Sequence, residues 1–186
     1  MRWKSSTHRY GAVAVAMHWV TAVALIGMLV SGLRAADMND PEAKLALLRI
    51  HAVMGVSVLA LTLLRLFWWW LADKKPADPT GTPRWQARAA HVVHALFYVV
   101  IIGMSASGVG MVLLSGAGDI LAGASQAPLP DFHAYPPRAP HGIGGTLLIA
   151  LVLLHVAAAF YHQFIKRDRL LARMGLAAEQ KMPGRA

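Results

Sequence analysis

Seven of the nine histidines in this 186-residue chain stand in or beside long apolar runs: His18, His51, His91, His94, His141, His155 and His162. An imidazole can ligate a metal, accept or donate a hydrogen bond, or pass a proton near neutral pH. Inside a membrane such groups are costly, so they usually face the interior of a bundle and mark a function. A single one reads most simply as a hydrogen-bonded core residue, but seven together call for chemistry. His141 and His155 bound the stretch HGIGGTLLIALVLLH, which contains no acid, Lys or Arg. Fourteen helical steps of about 100° return to within about 40° of the starting face while rising about 21 Å. One helix with this spacing presents a ligand at each of two levels.

The elements that must carry these residues follow from composition. With 56% hydrophobic and 15% charged residues, the chain departs from soluble-domain usage toward a membrane protein. Four apolar windows, 11–33, 48–72, 89–114 and 141–165, are each long enough to cross a hydrocarbon core of about 30 Å. The first follows a basic start, MRWKSSTHRY, but runs past the length of a signal h-region and carries His18, so it reads as a retained span. The expected fold is an all-α integral membrane four-helix up-and-down bundle, one domain over 1–186, with no internal repeat evident. A basic amphipathic tail, 166–186, is expected on the inner membrane surface. Asp40 before Pro41 and Glu42 marks a helix start in the first link. The 115–140 link should hold turns, polyproline-like pieces and one short helix.

Orientation follows from Lys and Arg. Fourteen of the eighteen fall at the terminal side, and only Arg34, Lys44, Arg49 and Arg138 lie in the opposite links. The positive-inside rule then puts both termini in the cytoplasm of a multi-pass inner-membrane protein. The net charge of +9 is therefore a topology signal, and no basic, aromatic-interleaved soluble segment supports nucleic-acid binding. The absence of cysteine excludes disulfides, thiolate metal sites, iron–sulfur clusters and covalent c-type haem.

Depth sorts the histidines. His18 and His155 lie about seven and ten residues in from the cytoplasmic side, counted at the helical rise, with His94 at a similar level, while His51 and His141 lie close to the outer side. Two imidazoles from different helices at one level suit a haem whose iron takes one axial nitrogen from each side. Two such levels on the fourth span suit two stacked haem b groups. Gly142, Gly144, Gly145 and Gly55 could let a flat ring approach the backbone, or serve ordinary small-residue packing. Arg65, fourteen residues after His51, is expected to meet a propionate of the inner haem or else to snorkel to a lipid phosphate.

The segments RYGAVAVAMHW, RIHAVMG, AHVVHALFY and the H-x13-H pair followed by AAAFYH together resemble the bacterial cytochrome b561 family. The resemblance runs from about residue 9 to 174 and implies a four-helix, di-haem electron carrier. It implies His18 and His155 as axial iron ligands of the inner haem b, and His51 and His141 as those of the outer one. Among the members that act as superoxide oxidases, it further implies a ubiquinone site at His94 and His162, with His91 a weaker candidate.

The function expected on these grounds is a superoxide:ubiquinone oxidoreductase that passes electrons from periplasmic superoxide through two haems to the quinone pool. Arg49 and Arg138, two and three residues before the outer histidines, could attract the anion, and His133 could add to this at acidic pH. Against this, the outer links carry five acids, Asp37, Asp40, Glu42, Asp119 and Asp131, to four basic residues. The alternative is a cytochrome b partner of a periplasmic electron-transfer protein or dehydrogenase that docks on the 115–140 link. A metal transporter is disfavoured because the spans hold no carboxylate.

Overall fold

The second span shows why helices form where they do. Asp40 is extended and its side chain accepts a hydrogen bond from the Glu42 amide 3.1 Å away. Pro41 fills the first helical position, where no donor is needed. From this cap, α2 runs Pro41–Phe67. The computed structural model describes residues 2–79, 81–168 and 170–176. The other long helices are α1 (Ala12–Ala36), α3 (Arg84–Ser115) and α5 (Arg138–Phe160). Short helices α4 (Gly118–Ala122) and α6 (Leu170–Arg173) complete the set.

The four long helices are apolar and long enough to cross a membrane, and the described residues form no strand. Helices α2, α3 and α5 begin three to seven residues before their apolar windows. Hydropathy marks the hydrocarbon layer, whereas helical hydrogen bonding continues into the head-group layer through polar residues such as Lys44, Arg84 and Arg138. Gly116, at φ 68°, turns the chain out of α3, and Gly123, at φ 81°, ends α4. The long link thus contains the expected short helix, followed by one 3-10 turn over Phe132–Ala134.

Helix α1 packs chiefly on α2 and α3 chiefly on α5, and contact between α2 and α3 joins the two hairpins. The core between them consists of Leu25, Met28, Val58, Ile101, Met104 and Leu148. Val23, Leu113 and Phe164 point outward and exposed, as lipid-facing residues must. Both α2 and α5 end in π-helical turns, Trp68–Ala72 and Tyr161–Lys166.

The terminal end is closed by a clasp. Arg173 of α6 donates to the carbonyls of His8 and Ala77 at 2.9 and 2.6 Å, and the Trp19 indole donates to the Met174 carbonyl at 3.1 Å. The Asp73 carboxylate accepts bonds from the Ser5 amide and hydroxyl and from the Trp68 indole. Up to Leu176 the basic tail is therefore engaged by contacts within the protein; residues 177–186 lie outside the described residues.

A repeat that sequence inspection misses becomes plain in the core. GMLVSG in α1 and GMSASG in α3 occupy matching places, and each follows a histidine, His18 or His94, at the same interval. In α2 and α5, His51, Gly55, Val58 and Arg65 match His141, Gly145, Leu148 and His155 at identical spacing. The pairs also share surroundings. Val58 and Leu148 are both fully buried, Met28 and Met104 are buried to the same degree, and Gly55 and Gly145 face Met28 and Met104 respectively. All six core residues fall into three such pairs, so the bundle is two related hairpins packed face to face. The repeat is obscured because few residues are identical and the links differ in length: residues 37–40 join one pair and 116–137 the other.

Candidate functional site

At the level remote from the termini, called outer after the Lys and Arg asymmetry, His51 in α2 faces His141 in α5 with ring centres 6.1 Å apart and planes at 72°. The His51 Nδ1 lies 3.0 Å from the Met28 carbonyl and 3.2 Å from the Ser31 hydroxyl. The His141 Nδ1 lies 3.1 Å from both the Met104 carbonyl and the Ser107 hydroxyl. A carbonyl only accepts, so Nδ1 carries the proton in each ring and Nε2 is left with a free lone pair. Interhelical hydrogen bonds in membranes contribute on average about 0.6 kcal/mol each, so these orient the rings more than they hold the bundle together.

The glycines that leave room for the histidine side chains themselves are Gly32 and Gly108. A Cβ on Gly32 would stand 2.9 Å from Cε1 of His51, and one on Gly108 3.3 Å from Cε1 of His141. Gly144, Gly145 and Gly55 instead receive methionine side chains, and Gly142 lies against Arg138. They sit on the helices that bear the histidines, and each side chain leans onto the opposing helix, so the close approach occurs there. Ser31, Gly32, Ser107 and Gly108 were legible only through the GMxxSG repeat.

At the inner level, His18 and His155 have ring centres 6.2 Å apart at 64°. His94 is also close, at 5.6 Å from His155, and Phe97 packs on the same ring at 5.6 Å. Arg65 reaches this level, with Nη1 3.3 Å from His18 Nδ1; its Nε is buried without a partner. The expected depth of Arg65 is therefore observed, beside an imidazole.

The remaining candidates are dispersed. The His162 ring is held by Asp168, a partner not foreseen because the π-helical turn from Tyr161 breaks the α-helical register that relates His162 to His155. Among the described residues no ring contact or hydrogen bond joins His94 to His162. His91 is exposed and lies 3.6 Å from Asp78. Arg49 donates to the Ile120 carbonyl at 2.9 Å, which fastens α4 over the outer end. His133 is exposed in the 3-10 turn, where its amide is capped by Asp131.

Two imidazoles on opposite sides of one metal have ring centres about 6 Å apart, from metal–nitrogen bonds of about 2 Å plus the ring radii. Both pairs meet this requirement. The described residues contain no group of three or more His, Asp or Glu able to hold a bare ion, whereas a macrocycle that brings four nitrogens needs only two protein ligands. The donor sets therefore fit haem.

Comparison with known proteins agrees. The family model for prokaryotic cytochrome b561 matches residues 9–176. Cytochrome b561 homolog 1 of Escherichia coli (strain K12) is 22% identical over 174 residues, covering 90% of this chain and 97% of the relative. Cytochrome b562 of Cereibacter sphaeroides is 25% identical over 171 residues, covering 89% and 94%. Cytochrome b561 homolog 2 of E. coli is 24% identical over 188 residues, covering 94% and 95%. The chain belongs to the prokaryotic cytochrome b561 family, multi-pass proteins of the bacterial inner membrane that transfer electrons with haem b.

Proposed function

We propose that the chain is a di-haem b carrier that oxidises superoxide at its outer face and reduces ubiquinone at its inner end. The observation that carries the reading is the presence of two imidazole pairs, 6.1 and 6.2 Å between ring centres, at two levels of one bundle. His51 and His141 would hold the outer haem, and His18 and His155 the inner one. Bound haem iron supplies the one-electron chemistry. Arg65 offers a guanidinium to a propionate at the inner level, where its Nε has no other partner.

The overall reaction oxidises two superoxide ions to two dioxygen molecules and, with two protons, reduces one ubiquinone to ubiquinol. His94 and His162 are the groups at the inner end that can donate hydrogen bonds to a quinone carbonyl and pass protons to it. Asp168 accepts from Nδ1 of His162, so Nε2 of that ring is the atom that takes up a proton and then donates it toward a quinone carbonyl. Arg138 at the start of α5 provides positive charge near the outer pair.

A second reading, docking of a periplasmic redox protein or dehydrogenase on the 115–140 link, is favoured by the engagement of Arg49. Its Nη2 is committed to Ile120, which leaves fewer donors free to hold a small anion. A stopped-flow superoxide pulse on purified protein with ubiquinone separates the two. The first reading expects rapid haem reduction followed by ubiquinol in half the molar amount of superoxide consumed. Haem reduction no faster than spontaneous dismutation would reject it and leave the docking reading.

A further inference from the structure

The repeated motif GMxxSG does the same thing twice. In each copy the serine hydroxyl donates to the carbonyl of its own methionine, Ser31 to Met28 at 2.9 Å and Ser107 to Met104 at 2.8 Å. With its proton so directed, the oxygen turns a lone pair toward the histidine of the partner helix, His51 at 3.2 Å and His141 at 3.1 Å. The glycine that follows leaves room for the same ring. Each Nδ1–H is thereby shared between a carbonyl and a hydroxyl oxygen in matching geometry. Both copies of the repeat keep the same arrangement although most of their neighbouring residues differ.

We infer that Ser31 and Ser107 are paired positioning residues that make His51 and His141 equivalent, electron-rich ligands and so set the potential of the outer haem alone. The inference rests on the assignment of these histidines to a haem. A hydrogen-bond acceptor at the distal nitrogen of a ligating imidazole fixes the tautomer and raises the basicity of the ligating one, which favours the oxidised metal. Because the motif is duplicated, its two copies should act in the same direction and by similar amounts. Among the described residues the inner level shows no counterpart: His18 Nδ1 lies beside the Arg65 guanidinium, which has no acceptor to offer an Nδ1–H.

The test is a potentiometric titration of the purified holoprotein with visible and EPR detection, comparing Ser31→Ala, Ser107→Ala and the double variant with Ser31→Thr and Ser107→Thr. The expected result is two haems per chain in every variant. The outer midpoint should rise in each alanine variant, by about twice as much in the double, with the inner midpoint unmoved and the threonine variants close to the parent. Two haems with an unmoved outer midpoint, opposite shifts for the two serines, or an equal shift of both haems would overturn the inference while leaving the di-haem assignment standing. A parent protein with a single haem that survives His141→Ala would overturn that assignment, and the inference with it.

Discussion

The outer and inner histidine levels are built on the same repeated hairpin and differ in how faithfully they keep its symmetry. At the outer level the related positions hold identical residues, His51 with His141, Ser31 with Ser107 and Gly32 with Gly108. At the inner level one related pair is kept, His18 with His94, and the other has diverged, with Arg65 in α2 where α5 has His155, so that His18 and His94 both lie close to one ring. A symmetric pair suits a centre that only exchanges electrons. The quinone reduction proposed for the inner end would also need protons and hydrogen-bond donors, and the broken symmetry provides a fixed positive charge and one imidazole beyond the pair.

The comparison is most strongly tested by removing ligands. His141→Ala should abolish the outer haem and His155→Ala the inner one, each leaving one haem per chain by pyridine haemochrome assay. Loss of both haems from either variant, in protein still folded by circular dichroism, would deny that the levels are separate. Next in size is His94→Ala. It should keep both haems and slow quinone reduction by about 10²-fold or more, the scale of a lost acid–base group. Disappearance of the inner haem would instead make His94 the partner of His155, a geometry that their 5.6 Å separation brings within reach.

A smaller effect separates the glycines. Gly32→Ala puts a methyl group 2.9 Å from the His51 ring, whereas at Gly103 an added Cβ meets nothing within 4 Å. The first should lower outer haem content or broaden its spectrum, and the second should leave the spectrum unchanged. The smallest effect concerns the clasp, which only the inner end possesses. Burial pushes the Asp73 carboxyl up, but the bonds from Ser5, Lys74 and Trp68 outweigh it and hold the group below its usual value. A carboxyl lowered on folding stabilises above its unfolded pKa and loses that contribution as pH falls through the folded one. Protection of the Ser5 amide against exchange, relative to its intrinsic rate at each pH, should therefore fall only below the ordinary carboxylate range, about pH 4, with both haem spectra retained. An equal protection factor at pH 6 and at pH 3 would remove Asp73 from the clasp.

Much of this was legible in the sequence because the membrane enforces it. Apolar windows gave the four spans, and the cost of an imidazole in lipid pointed to seven histidines, which depth sorted into two levels; the preference for His18 over His94 came from the family resemblance alone. The Asp40–Pro41 start was readable for the same reason that it works, since only the side chain and the proline can meet the first turn. What escaped notice depends on contacts between helices. The serines and glycines that receive His51 and His141 lie on other helices, and their repeat is hidden by substituted neighbours and unequal links. The His162–Asp168 pair depends on a π-helical turn whose register no 3.6-residue pattern foretells.

The central claim is that this bundle holds two haems, one at each histidine pair. It is tested most directly by haem-to-protein stoichiometry of the purified chain together with its redox titration. The account expects two haem b per chain and two resolvable midpoints, of which only the one lost in His141→Ala belongs to the outer pair. One haem per chain, or a single midpoint unaffected by His141→Ala, would contradict it.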